Sequence, residues 1–227
     1  MQLENKNKKK EAIKMKSGIF VALEGIDGCG KSTVSKWLVK DLKKRKIPVI
    51  WTREPGGINC LVSEKIRNIL KDPENNICDE AEALLFAASR AQHVKKLIRP
   101  NLKKGVNVIS DRFVLSSYVY QGIGRKLGVS HVKTINNFAC QKLKPDIVFL
   151  LDIDEQKAQH RTPGKKKDRI ELENKEFYQK IRKGFLKLAK NDKTIVVINA
   201  EMPFEKVCQK ILNKIIQIIN KRKEGDI

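Results

Sequence analysis

One glycine-rich segment carries residue types that can hold phosphate groups. Residues 25–32 read GIDGCGKS and match the spacing GxxxxGK[ST]. They follow an apolar run that suits a buried strand and open a segment with helical spacing, which is the context this motif requires. The glycines let backbone N–H groups converge on phosphate oxygens, and a helix N-terminus adds partial positive charge. The segment therefore predicts a binding site for a nucleoside triphosphate.

Single side chains of this loop have distinct chemical capacities. Lys31 can bridge the outer phosphates of a nucleotide, and the Ser32 hydroxyl can ligate Mg²⁺. Cys29 receives no catalytic role, because its position in such a loop usually accepts any small residue. The predicted triphosphate site comprises Gly25, Ile26, Asp27, Gly28, Cys29, Gly30, Lys31, Ser32 and Thr33.

Two arginines follow predicted strands, within the segments TREPGG (residues 52–57) and DRF (residues 111–113). Ligands of an open parallel sheet bind beyond the carboxyl ends of its strands. Arg53 and Arg112 are therefore expected near the phosphate loop, where guanidinium groups can hold a second phosphate by paired hydrogen bonds. Taken alone, either arginine would equally fit a surface ion pair.

A third segment, LLFAASR, ends at residue 90 and lies on a predicted long helix. Phe86 and Arg90 are four residues apart, so they share one helix face. Together they offer a ring for stacking and a guanidinium group for hydrogen bonds. Taken alone, Phe86 would equally fit the hydrophobic core.

A polar stretch, QHRTPGKKKDRIE at residues 159–171, has the composition of a mobile loop. Charge develops on the transferring oxygens during phosphoryl transfer, and a cation closing over them lowers the barrier. The lysines of this stretch also fit a merely solvated charge run. Arg161 and Arg169 are its two arginines.

The elements that must position these residues alternate between strands and helices. The predicted strands are Ile19–Glu24, Val49–Thr52, Val106–Ser110, Ile147–Leu151 and Thr194–Ile198. The predicted helices are Lys31–Lys46, Leu61–Leu70, Asp79–Lys104 and about Pro203–Lys221. This alternation indicates βαβ units and one three-layer α/β/α domain with a five-stranded parallel sheet, over residues 18–227. Residues 1–17 lack periodicity, which predicts a disordered basic tail.

Composition limits the class of protein. The 227 residues carry 48 Lys and Arg against 26 Asp and Glu, but only 11 of the basic residues are arginine, so much of the +22 net charge fits a lysine-rich overall composition. No apolar run approaches the roughly 20 residues of a membrane span. The five cysteines are scattered without a CxxC spacing, which favours a reducing cytoplasm over a disulfide framework or a zinc site.

The segments TREPGG, LLFAASR and DRF–SS–YQG, in this order, resemble thymidylate kinases of the P-loop nucleoside monophosphate kinase group. The resemblance runs from about Ile19 to the last helix. It implies the strand order 2-3-1-4-5, a homodimer, and Mg²⁺-dependent transfer of the γ-phosphoryl group of ATP to dTMP. The products would be dTDP and ADP, on the route to dTTP for DNA replication.

The resemblance also implies roles for single residues. Arg53 and Arg112 would hold the dTMP phosphate, Phe86 would stack on thymine, and Arg90 would bond a base carbonyl. Ser117 and Gln121 would lie at the base edge, Tyr120 against the deoxyribose, and Asp27 near the 3′-hydroxyl or the loop lysine. The implied dTMP site is Asp27, Arg53, Glu54, Phe86, Arg90, Arg112, Ser117, Tyr120 and Gln121.

Metal and catalytic roles follow from the same resemblance. Asp111 would organise Mg²⁺ through water beside Ser32, with Glu54 close by. Thymidylate kinases carry a catalytic arginine either in the phosphate loop or in the lid, which here corresponds to the polar stretch at about residues 159–171. The loop has none here, so the sequence resembles the bacterial type, with Arg161 as the first candidate and Arg169 as the second. The implied catalytic set is Lys31, Arg161, Asp27 and Arg112.

Three other functions compete with this one. A P-loop ATPase acting on nucleic acid would need an acidic pair after a hydrophobic strand and aromatics among basic residues, whereas strand four ends in LDI and aromatics make up 6%. A nucleotide sensor would need neither Arg53 and Arg112 together nor a basic lid. Kinases of other monophosphates fit less well, because Phe86 and Arg90 with Gln121 favour a pyrimidine. We therefore expect ATP and dTMP as partners, and neither nucleic acid nor membrane.

Overall fold

Five parallel strands form the sheet on which the helices pack. The computed structural model describes residues 17–161, 164 and 168–225. The strands are β1 (Phe20–Glu24), β2 (Val49–Arg53), β3 (Asn107–Asp111), β4 (Ile147–Asp152) and β5 (Ile195–Asn199). Their order is β2-β3-β1-β4-β5, and every pairing is parallel. The predicted sheet and strand order are confirmed.

The register of the sheet places three strand ends side by side. Asp111, the last residue of β3, pairs with Arg53 of β2 and with Leu23 of β1. Every residue of β1 and β3 is buried, because helices cover both faces of the sheet. The segments that follow these three strands therefore meet at one edge, as the sequence predicted.

The helices connect the strands across both faces. They are α1 (Lys31–Lys44), α2 (Leu61–Lys71), α3 (Asp79–His93), α4 (Arg99–Lys103), α5 (Val114–Ser117), α6 (Val129–Ala139), α7 (Glu155–His160), α8 (Lys175–Lys190) and α9 (Phe204–Glu224). Two segments, Val94–Ile98 and Tyr118–Gly124, form π-helical turns.

The helix predicted over Asp79–Lys104 does not keep α-helical hydrogen bonding throughout. It changes to π-helical turns after His93 and returns to an α-helix at Arg99. Pro100 lies in the first turn of α4. Since proline has no backbone N–H, it cannot bond to the carbonyl four residues earlier, and the hydrogen-bond pattern rearranges around it.

Several elements have no counterpart among the sequence predictions. Helix α8 buries Tyr178, Ile181 and Phe185 along one face. Its start is marked by Asn174, whose side chain accepts a hydrogen bond from the Phe177 N–H at 2.8 Å. The short helices α5, α6 and α7 and the π-helical segment Tyr118–Gly124 are likewise new.

Some of the sequence predictions concern residues outside the described part of the chain. The expected tail at residues 1–17 falls outside the described residues apart from Ser17, as do lid residues 162–163 and 165–167. The domain boundary at residue 18 stays a prediction. In the part of the chain that the structure describes, no helix combines the length and the apolarity needed to cross a bilayer.

Candidate active site

The phosphate loop joins the end of β1 to the start of α1. Gly28 has φ 83°, and a Cβ there would lie 2.2 Å from the Ala158 carbonyl oxygen, so the loop requires glycine at this position. Lys31 Nζ donates to the carbonyl oxygens of Gly25 at 3.1 Å and Ile26 at 2.9 Å. The buried ammonium group is thus held against the loop that it would leave to contact a phosphate.

Ser32 and Asp111 bring two oxygen donors together beside the phosphate loop. The Ser32 hydroxyl at the start of α1 donates to Oδ2 of Asp111 at the end of β3. Asp111 is buried. A hydroxyl and a carboxylate are the hard oxygen ligands that Mg²⁺ prefers, and this cation commonly takes its other ligands from water and substrate phosphates. The pair therefore fits Mg²⁺ bound to a nucleotide.

Arg112 connects the end of β3 to the phosphate loop. Its guanidinium donates to the Gly25 carbonyl oxygen and to Asp27 Oδ1, each at 2.8 Å, and lies 5.3 Å from the centre of the Tyr120 ring. Burial alone would lower the pKa of Arg112, but Asp27 and further nearby carboxylates raise that pKa well above its ordinary value. Arg112 is a fixed cation facing the cavity.

Glu24 holds the segment that carries Arg112, and the sequence analysis did not single it out. Its fully buried carboxyl accepts hydrogen bonds from the Phe113 N–H at 2.8 Å and the Ser116 hydroxyl at 2.5 Å. Burial raises the pKa of Glu24 from 4.5 to about 7. An acidic residue within an otherwise apolar strand was the signal that could have identified it.

Arg53 and Arg67 place two further cations on the wall of the cavity. Arg53 Nη2 donates to Glu64 Oε2 at 3.1 Å, while its buried Nε has no hydrogen-bond partner among the described residues. Arg67 Nη1 donates to the Pro55 carbonyl oxygen at 2.7 Å. Burial and the neighbouring Arg53 lower the pKa of Arg67. This incompletely neutralised pair suits an anion, and Arg67 is a cavity residue that the sequence analysis missed.

Arg90 is a deeply buried cation at the cavity wall. Its Nε donates to Glu54 Oε2 at 2.6 Å, and its Nη1 donates to Ser117 Oγ at 3.1 Å and to Asn136. Its Nη2 donates to the Phe113 carbonyl oxygen at 3.4 Å. These four bonds fix the guanidinium plane and leave one Nη2 proton for a ligand.

Glu54 follows β2, and its backbone N–H donates to the Asp111 carbonyl oxygen at 2.9 Å, while its carboxylate contacts Arg90. Its second carboxylate oxygen lies 2.9 Å from His93 Nδ1, and His93 Nε2 lies 2.7 Å from Thr52 Oγ1. The Glu54 carboxylate therefore orients Arg90. Asn136 and His93 complete this buried network, and no sequence motif identified either of them.

The π-helical segment Tyr118–Gly124 supplies the remaining predicted residues. The Tyr120 hydroxyl lies 3.4 Å from Asp27 Oδ2 and 3.5 Å from Arg112 Nη2. Gln121 is buried and donates from Nε2 to Glu82 Oε1 at 2.8 Å. The wider turn of this segment lets neighbouring residues face the same cavity, which is a common use of π-helical turns.

The two lid arginines lie in different environments. Arg161 directly follows α7, is exposed, and donates from Nη2 to the Ala200 carbonyl oxygen at 3.0 Å. Arg169 is instead paired with the buried Glu82 at 2.7 Å and donates from Nε to the Leu70 carbonyl oxygen at 3.0 Å. Arg169 thus anchors the far end of the lid on α2 and α3, whereas Arg161 faces the cavity.

One cavity of about 560 Å³ collects most of these side chains, a volume typical of small-ligand sites. The predicted residues that line it are Asp27, Gly28, Gly30, Lys31, Ser32, Thr33, Arg53, Glu54, Phe86, Arg90, Asp111, Arg112, Ser117, Tyr120, Gln121 and Arg161. Gly25, Ile26 and Cys29, also in the phosphate loop, are buried and do not line the cavity. Burial also raises the pKa of the Cys29 thiol, which fits the absence of a catalytic assignment. The cavity therefore brings the phosphate loop together with several further cationic side chains.

Comparisons with known proteins agree with this arrangement. The family model described as thymidylate kinase matches residues 23–211. The chain is 47% identical over 194 residues to a thymidylate kinase of Fervidobacterium nodosum, covering 86% of this chain and 96% of the relative. It is 50% identical over 174 residues to one of Caldanaerobacter subterraneus, covering 77% and 83%. It is 44% identical over 210 residues to one of Lactobacillus acidophilus, covering 90% and 96%.

Proposed function

The chain belongs to the thymidylate kinase family and phosphorylates dTMP to dTDP with ATP, and we propose that the cavity of about 560 Å³ holds both substrates for direct transfer. The observation that carries this proposal is the convergence of two cationic regions in one cavity. The phosphate loop provides one region, and Arg53, Arg67 and Arg112 provide the other. A phosphate oxygen of dTMP then attacks the γ-phosphorus, the bond to the bridging oxygen breaks, and ADP leaves.

On the acceptor side, the dTMP phosphate binds between Arg53 and Arg112, with Arg67 adding charge beside Arg53. The orphaned Arg53 Nε and the lowered pKa of Arg67 support this role, because a bound dianion would relieve both. The thymine ring stacks on Phe86, and Arg90 donates its remaining proton to a base carbonyl. Ser117, Tyr120 and Gln121 enclose the base and the sugar.

On the donor side, ATP places its outer phosphates in the phosphate loop, where Lys31 moves onto them. Ser32 and Asp111 are the residues that would hold Mg²⁺, which would neutralise charge on the phosphates. Asp27 keeps Arg112 oriented toward the acceptor phosphate through their ion pair at 2.8 Å.

Arg161 is the proposed lid cation that stabilises the transferring phosphoryl group. Its position on the cavity supports this role, and so does its side-chain bonding, which among the described residues is one hydrogen bond to a backbone oxygen, so the side chain can turn inward at little cost. Arg169 would have to break its pair with the buried Glu82 to do the same. Removing this guanidinium from a buried carboxylate would make that movement costly.

We also propose a homodimer formed through α2, α3 and α6, of which α3 packs against both α2 and α6. These helices expose large apolar side chains, and Phe138 is the most prominent at 89% exposure. The others are Leu61, Val62, Ile69 and Leu84. Apolar patches of this kind commonly mark protein interfaces.

The reducing cytoplasm stays the proposed compartment, supported by five free thiols.

Calorimetric titration with each substrate tests the division into two subsites. Arg53→Ala should weaken dTMP binding by about tenfold or more, because a charge-assisted bond is lost, and should leave binding of Mg²⁺-ATP nearly unchanged. Lys31→Ala should show the reverse pattern. Parallel loss of both substrates in both variants would contradict two separate subsites.

A further inference from the structure

Glu82 is a buried carboxylate that three side chains from other segments surround. It lies on α3 and is 1% exposed. Gln121 Nε2 donates to it at 2.8 Å, Arg169 Nη2 lies 2.7 Å away, and Arg125 Nη2 lies 3.4 Å away. A glutamate so fully buried requires such partners, and the proposed reaction assigns it no task.

This contact determines which end of the Gln121 amide faces the cavity. A carboxylate only accepts hydrogen bonds, so the amide nitrogen of Gln121 must point toward Glu82. Gln121 lines the cavity, and its amide oxygen accepts no hydrogen bond from the residues that the structure describes. The cavity is therefore presented with an acceptor at this position.

The two arginines keep Glu82 itself in place. Arg125 is tied on its other side to Glu173 and Asp79, and Arg169 is tied to the Leu70 carbonyl oxygen. Because both guanidinium groups are held elsewhere, the carboxylate cannot turn away from Gln121 without losing them. Glu82 thus has one orientation available, and so has the Gln121 amide.

We propose that Glu82 is a positioning residue for base selection, which acts by fixing the Gln121 amide oxygen toward the base. A thymine or uracil ring presents an N3–H donor to such an acceptor, whereas cytosine presents an N3 lone pair. A site built to accept a proton rejects the base that lacks it, because the buried acceptor is then left unpaired. The inference rests on the proposed placement of the base edge beside Gln121.

Steady-state kinetics with dTMP and dCMP test this role. Glu82→Gln supplies only one amide oxygen for three donors, so it frees the Gln121 amide to turn over. The ratio of kcat/KM for dTMP to that for dCMP should fall by about tenfold or more, mainly through KM. Glu80→Gln is the matched control, since Glu80 is exposed on the same helix and should leave the ratio unchanged.

A second variant, Glu82→Asp, keeps the inference testable if Glu82→Gln does not fold. Glu82→Asp keeps a negative charge for the two arginines but withdraws it from Gln121 by one methylene group. It should lower the dTMP to dCMP ratio in the same direction, with a cooperative thermal transition retained. An unchanged ratio in a folded Glu82 variant would overturn the inference.

Gln121→Leu separates this inference from the proposed base site. If Gln121 reads the base, Gln121→Leu lowers the ratio, and adding Glu82→Asp to it causes no further change. If Gln121→Leu leaves the ratio unchanged, the proposed placement of the base is wrong. If Gln121→Leu lowers the ratio but neither Glu82 variant does, the base site stands and Glu82 does not position it.

Discussion

Arg112 reaches back from the end of β3 to Asp27 of the phosphate loop, with Nη2 and Oδ1 2.8 Å apart. The same guanidinium also donates to the Gly25 carbonyl oxygen at 2.8 Å. One side chain therefore contacts the loop that binds ATP and faces the position proposed for the acceptor phosphate. The two substrate sites are mechanically connected through it.

This connection predicts that Arg112→Ala affects both substrates unequally. The KM for dTMP should rise by about tenfold or more, because the charged contact to its phosphate is lost. The KM for ATP should rise by a smaller factor, since the loop loses one support at Gly25. Initial rates over a matrix of both substrate concentrations measure the two constants, and an unchanged KM for dTMP would refute the assignment.

The buried carboxyl of Glu24 predicts a pH-dependent stability. Its pKa is raised in the folded protein, from 4.5 to about 7, so the fold favours the protonated form. Its contribution to the free energy of unfolding is present below pH 4.5 and is lost as pH rises through about 7. A shift of this size corresponds to roughly 3 kcal/mol.

Urea unfolding of wild type and Glu24→Gln between pH 4.5 and pH 8 measures the contribution of Glu24 to the free energy of unfolding. Wild type should lose this contribution as the pH rises, whereas Glu24→Gln has no such contribution to lose. The difference in unfolding free energy, Glu24→Gln minus wild type, should therefore rise by about 3 kcal/mol from pH 4.5 to pH 8. Glu205→Gln, at an exposed position, serves as the control. A difference that does not change with pH would show that Glu24 titrates as an ordinary carboxyl group.

The proposed dimer predicts that charge on the α2–α3–α6 surface yields monomers. Phe138→Glu combined with Leu84→Glu places carboxylates at two strongly exposed apolar positions. Light scattering after gel filtration should give twice the chain mass for wild type and the chain mass for the variant. Phe204→Glu is the control, because Phe204 is an exposed aromatic residue on α9, away from this surface. A wild-type monomer would exclude the dimer.

The sequence was sufficient for the architecture because the strands are short apolar runs separated by helical patterns. The strand order, which the resemblance implied, is confirmed, and Arg53 and Arg112 lie at the edge of the sheet where the phosphate loop begins, as their positions at predicted strand ends indicated. Those residues follow strands directly, so the parallel sheet alone brings them together. Phe86 and Arg90 were placed by helical periodicity in the same way, and both line the cavity.

The site residues that the sequence analysis did not identify are those whose positions depend on contacts between distant segments. Glu24, Glu82 and Asn136 each touch residues at least 39 positions away, and no local spacing announces such pairs. The Glu54 carboxylate is likewise held between Arg90 and His93, which are distant from it in the sequence. Local patterns identified the residues that meet ligands, whereas the residues that orient them required the folded chain.

The choice of the catalytic arginine in the lid also needed the folded chain, because the sequence offers two candidates. Both are arginines in one polar loop, and the sequence ranked Arg161 ahead of Arg169 by resemblance alone. The structure supports that ranking, because Arg169 pairs with buried Glu82 and Arg161 faces the cavity.

Arg169→Lys should therefore lower thermal stability while leaving the rate of phosphoryl transfer within a few-fold of wild type.

The most direct test of the proposed reaction is single-turnover phosphoryl transfer by Arg161→Ala, measured by rapid quench with Mg²⁺-ATP and dTMP. Lys157→Ala is the control, since Lys157 is an exposed cation on the preceding helix. The account predicts that Arg161→Ala slows transfer by about 10²-fold or more, while the Kd of dTMP stays within about twofold of wild type. A transfer rate equal to that of wild type would contradict it.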